Sequence, residues 1–149
     1  MIRHFSFEDE IHQNLGCVPM AVRRKLDRVG IKISLAQWQA LRLGERLALC
    51  HLPVESSDEC EAVRVFASEA VEARSGSGVK PLPESSRLNA DPPAHPPARL
   101  VEHARIEGFT LNQPLWDRLD SDERYALIKL GDTETPSHNL PAALAEFVR

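Results

Sequence analysis

Laid over itself at an offset of 78 residues, the chain repeats its own pattern, and this feature limits its fold more than any other. Gly30 falls on Gly108, Trp38 on Trp116, Leu41 on Leu119 and Glu45-Arg46 on Glu123-Arg124, with no gap from Gly30 to Leu52. Pro19 falls on Pro97 and Val22 on Leu100. Both tryptophans of the chain align, which coincidence explains poorly. The pattern predicts two diverged copies of one unit. Their shared scaffold is Pro19, Gly30, Trp38, Glu45 and Arg46, and then Gly108, Trp116, Glu123 and Arg124.

Each copy reads as helices. Pro19 and Pro97 suit a first helical turn, where a missing N–H costs little, and Gly30 and Gly108 suit the left-handed residue that ends a helix. A short extended step follows, Ile31 to Ile33 or Phe109 to Leu111. Ser34 with Gln37, and Asn112 in the second copy, cap a short helix carrying Leu35, Trp38 and Leu41 or Leu115, Trp116 and Leu119. Asp120 with Glu123 forms another capping box. A third helix, Glu45 to Leu52 or Glu123 to Leu130, turns Leu47, Ala48 and Leu49 to the core and stops at Pro53 or Gly131. A fourth runs from Ser57 to about Ala73, and Leu140, Ala143, Leu144 and Phe147 mark its C-terminal counterpart. The composition agrees, since 42% of residues are hydrophobic but only 5% aromatic, which favours a helical core over a β-sandwich. The fold class expected is all-α, with two packed copies.

Between the copies lies a stretch rich in Pro, Gly and Ser with almost no large apolar side chain. Such a segment buries too little to offset an ordering entropy of about 1–2 kcal/mol per residue, so a flexible linker is expected. The expected domains are residues 1–73, a linker at 74–96 and a second copy at 97–149.

The sequence excludes more chemistry than it offers. Phosphate loops, dinucleotide fingerprints, nucleophile elbows and zinc-protease helices are missing, and no catalytic residues, cofactor or metal are assigned. Cys17, Cys50, His51 and Cys60 make a metal site on paper only. Cys50 stands where the other copy has Ile128, as a buried structural cysteine would. The six histidines are scattered, with none paired to another at helical spacing. Three cysteines without paired spacing argue against disulfides, and the start Met1-Ile2-Arg3-His4 lacks a signal-peptide core, so a cytoplasmic, membrane-free protein is expected.

Charge separates the copies. From Pro19 to Leu52 seven cations face two anions, whereas from Pro97 to Leu130 five face six. The cations Arg23, Lys25, Arg28 and Lys32 gather on and just after the first helix, which suggests docking on an acidic partner. The rival is a helix-turn-helix-like regulator that binds nucleic acid through the same helix. The net charge of −4 and the absence of an evident recognition helix speak against it. A metal carrier centred on Cys17 and His138 is a third reading.

Phe5-Ser6-Phe7-Glu8, the run Cys17-Val18-Pro19-Met20-Ala21-Val22-Arg23-Arg24-Lys25-Leu26-Asp27, and Gly30-Ile31-Lys32 with Trp38 resemble the conserved nitrate reductase-associated protein family. Glu123 to Leu130 and Leu140-Pro141-Ala142-Ala143-Leu144 resemble its C-terminal block. The resemblance implies a small accessory or maturation factor without catalysis, needed for active assimilatory nitrate reductase and so partnered with that enzyme. On this reading function lies in what only the first copy carries: Phe5, Phe7, Cys17, Met20, Arg23, Lys25, Arg28 and Lys32.

Overall fold

A computed structural model describes residues 3–148; Met1, Ile2 and Arg149, which begin and end the expected domains, lie outside the described residues. The fold is mostly helical. A 3-10 turn, Ser6–Glu8, leads into α1 (Asp9–Asn14), α2 (Met20–Val29), β1 (Ile31–Lys32), α3 (Leu35–Ala40), α4 (Leu43–His51) and α5 (Ser57–Ser75). Then come β2 (Lys80–Pro81), α6 (Glu84–Leu88), α7 (Ala98–Ile106), α8 (Gln113–Arg118), α9 (Ser121–Gly131) and α10 (Leu140–Phe147). No helix among the described residues is long and apolar enough to cross a membrane.

The chain divides into two compact units, one holding His4 with Glu8–Ala90 and the other Phe5–Phe7 with the chain from Asp91 onward. In the first, α2 packs against α4, α5 and α6. It begins after Pro19, whose extended ψ of 153° suits an N-cap, and ends at Gly30, whose φ of 88° costs a glycine nothing. Val22, Leu26 and Val29 recur at helical spacing and meet Trp38, Leu49, Val63, Ala67 and Val71 in one core. In the second unit α7, α9 and α10 pack on one another. Leu100, Ala104, Trp116, Leu127, Leu140 and Leu144 are buried there.

Elements 78 residues apart correspond. α8 has the bounds of α3 displaced by that number, and Gly108 has the same φ of 88° as Gly30. Trp38 Nε1 donates to the Leu15 carbonyl at 2.7 Å, and Trp116 Nε1 to the Pro93 carbonyl at 3.0 Å. Arg46 Nε donates to the Trp38 carbonyl at 3.1 Å, and Arg124 Nε to that of Trp116 at 3.0 Å. The contacts of α2, α4 and α5 with one another have counterparts among α7, α9 and α10.

Several expectations need correction. The stretch read as a flexible linker carries β2 and α6, and 74–90 belongs to the first unit. β2 pairs antiparallel with β1, Ile31 opposite Pro81 and Lys32 opposite Lys80. Leu82 N–H donates to the Gly30 carbonyl at 2.9 Å, and Arg24 Nε to that of Ala90 at 2.8 Å. Backbone pairing and a fully covered Ala90 thus order a segment poor in large apolar residues. The third helix starts two residues before Glu45 and Glu123, which occupy the third turn position and return a carboxylate oxygen to the cap N–H of Arg42 and Asp120. Ser56, not Ser57, caps α5, with Glu59 completing its box. Leu35 and Leu47, expected inside, are 53% and 44% exposed because neighbouring turns already give the core Trp38, Leu41, Leu49 and Cys50. α9 does end at Gly131, but without the left-handed φ of Gly30 and Gly108; a Cβ there would meet Leu100 Cδ1 at 2.5 Å, so the glycine permits a close approach.

Candidate basic docking surface

The cations of the first helix read in sequence as a docking face for an acidic partner, and α2 spends much of that charge on its own unit. Lys25 Nζ donates to the carbonyls of Cys50 at 2.6 Å, Leu52 at 2.8 Å and Leu49 at 3.4 Å. A cation placed there answers the unpaired carbonyls and negative dipole end of α4. The residue 78 positions on does similar work: His103 Nε2 lies 3.0 Å from the Thr133 carbonyl, just beyond α9. A carbonyl only accepts, so the proton sits on that nitrogen.

The other predicted docking residues separate by exposure. Met20 is buried at the start of α2, where its N–H donates to Glu8 Oε2 at 2.9 Å. Phe5 is wholly buried and belongs to the second unit with Phe7. Their rings lie 5.0 and 6.0 Å from Phe147, and Phe7 N–H donates to Glu146 Oε1 at 3.2 Å. Neither Phe5 nor Met20 offers a surface, because aromatic and core packing cover them. Arg28 is half-buried, while Cys17, Arg23 and Lys32 are exposed.

Two further cations join Lys32, both from the segment expected to be disordered. Lys80 stands opposite Lys32 across the β1–β2 pair, so two ammonium groups share one face of a short ribbon, an arrangement that disfavours itself without an anion. Arg87 of α6 lies against Gly30: a Cβ on that glycine would meet its Nε at 2.8 Å. Lys32, Lys80 and Arg87 are all exposed. The strand pairing sets Lys32 against Lys80, and the packing of α6 on α2 brings Arg87 beside Gly30; neither is visible in composition.

At the start of the first unit the structure assembles histidines that seemed scattered. His4 and His12 stack with ring centroids 4.0 Å apart, and His4 Nε2 lies 2.7 Å from Asp9 Oδ1. His12 Nε2 is 3.9 Å from Glu8 Oε1, beyond hydrogen-bond reach. Burial, aided by His4 and opposed by Asp9, lowers the His12 pKa. The spacing of Glu8 and His12 by four residues was the available sequence signal. Among the described residues no group of three or more His, Cys, Asp and Glu is arranged to hold a metal.

Cys50 is buried, and burial raises its thiol pKa against the opposing influence of Lys25. Cys60 donates to the Val54 carbonyl at 3.3 Å, and Cys17 is exposed. Titration of the native chain with a thiol reagent is therefore expected to give one fast equivalent at Cys17, a slower one at Cys60 and none at Cys50 until unfolding. Mass mapping of the labelled peptides checks the order.

A family model described as conserved nitrate reductase-associated protein matches residues 4–147. The chain belongs to this family. No curated protein and no solved structure matches it. Membership spans both units and includes 74–96, so in this family member the ribbon that joins Lys32 and Lys80 lies inside the matched region.

Proposed function

We propose that this chain is a non-catalytic accessory protein that docks on assimilatory nitrate reductase and assists its maturation, and that it descends from duplication of one helical unit. The family supports association with nitrate reductase. The element bounds and tryptophan and arginine hydrogen bonds shared at an offset of 78 support the duplication.

The observation that carries the docking reading is the pair Lys32 and Lys80, like charges opposed on an exposed ribbon beside Arg87. Such a surface favours a carboxylate-rich patch, which relieves the repulsion and steers encounter. Arg23 adds an exposed cation on α2. The nucleic-acid alternative gains nothing, since Arg24 and Lys25 of the basic helix face carbonyls of their own unit.

Charge reversal tests it. Lys32→Glu with Lys80→Glu is expected to weaken binding to purified nitrate reductase at least about tenfold, with a shallower salt dependence, while circular dichroism stays unchanged. Unaltered affinity and full activation of the reductase by the double variant would overturn the reading.

A further inference from the structure

The two units treat one edge differently. In the first, β1 follows Gly30 and is covered: β2 pairs with it, Leu82 N–H bonds the Gly30 carbonyl, α6 packs on α2, and Arg87 fills the space beside Gly30. The equivalent edge of the second unit is Gly108-Phe109-Thr110. Among the described residues no strand pairs with it and no hydrogen bond reaches the Gly108 carbonyl. A Cβ built on Gly108 would meet nothing within 4 Å. Beside it Ile106 is 65% exposed at the end of α7, and Thr110 is also exposed.

We infer that this open edge binds an extended segment of a partner protein, one with an apolar residue beside a lysine or arginine, as residues 79–90 cover the same edge of the first unit. The first unit shows what occupies such an edge: Val79-Lys80-Pro81-Leu82, an extended run with a cation among apolar residues. Side-chain replacements along the edge set the partner's charge. Lys32, which faces Lys80, gives way to Thr110, and buried Val29 gives way to exposed Glu107. The second edge thus loses a repulsive cation and gains a carboxylate, both favouring a basic occupant. Ile106, standing where Arg28 does in the first unit, offers apolar contact for the residue next to that cation. The attachment is strand addition, in which main-chain bonds hold and side chains select. It stands on the second unit alone and is independent of docking through Lys32 and Lys80.

The probe is a synthetic peptide with the sequence of residues 78–90, titrated into the isotope-labelled full chain and followed by amide NMR. Saturable shifts confined to Ile106–Leu111, with a Kd below about 1 mM, are expected. Ile106→Lys and Thr110→Pro in the chain, and Lys80→Glu in the peptide, should each weaken binding about tenfold or more. Circular dichroism checks that both chain variants fold, and the peptide variant leaves the protein untouched. Absence of saturable shifts, shifts only at Ile31–Ile33, or equal binding of the Lys80→Glu peptide would overturn the inference. Concentration-dependent broadening at Ile106–Leu111 without peptide would also overturn it, naming a second copy as the occupant.

Discussion

Trp38→Ala is expected to cost the first unit about 3–5 kcal/mol, the range for removing a large aromatic from a packed core. The side chain is wholly buried among Leu15, Val22, Leu41 and Val63. The loss exceeds volume alone. Trp38 Nε1 donates to the carbonyl of Leu15, a non-glycine residue held at a φ of 52°, and its own carbonyl receives Arg46 Nε. Removing the indole leaves a buried carbonyl without this donor beside a strained backbone. Trp38→Phe keeps most of the ring but not the N–H, and should fall between, at about 1–3 kcal/mol. Urea unfolding followed by far-UV circular dichroism, with Trp116 fluorescence reporting the second unit, checks both. A cost below about 1 kcal/mol for Trp38→Ala would show that Trp38 is no keystone.

The residues just named were also the legible ones. A tryptophan in phase with leucines, a Ser-x-x-Gln cap and a glycine after a helix are local signals, because each depends on neighbours within four positions. Correspondingly, Gly30, Ser34, Gln37 and the Trp38 core lie as the pattern implied. What escaped was non-local. The order of 74–90 comes from backbone pairing with Ile31 and Lys32, which no count of apolar residues registers. Phe5 and Phe7 read in sequence as partner-binding residues, yet their rings meet Phe147, 140 or more positions away. His4 and His12 meet because the chain bends through Ser6–Glu8, not through any helical period. The candidate site moved for the same reason: its charge was visible, but whether a cation is spent inside or offered outside depends on which carbonyl it reaches.

Lys25 decides that question in a single side chain. Lys25→Met keeps the aliphatic stem and removes the ammonium that serves the carbonyls of Leu49, Cys50 and Leu52. The expected cost is about 2–3 kcal/mol, typical of hydrogen bonds to a charged group whose partners stay partly buried. Lys25→Arg should rescue little, since a planar fork does not match three carbonyls converging on one point at the end of α4. The measurement is urea unfolding of both variants beside Lys32→Glu, which changes an exposed charge and should cost under about 0.5 kcal/mol. Full stability of Lys25→Met would return Lys25 to the docking surface. The expected pattern, stability lost at Lys25 and affinity lost at Lys32 and Lys80, assigns α2 to the scaffold and the ribbon to the partner. It also bars Lys25 from any charge-reversal test of binding, because a loss of stability there would be mistaken for a loss of docking.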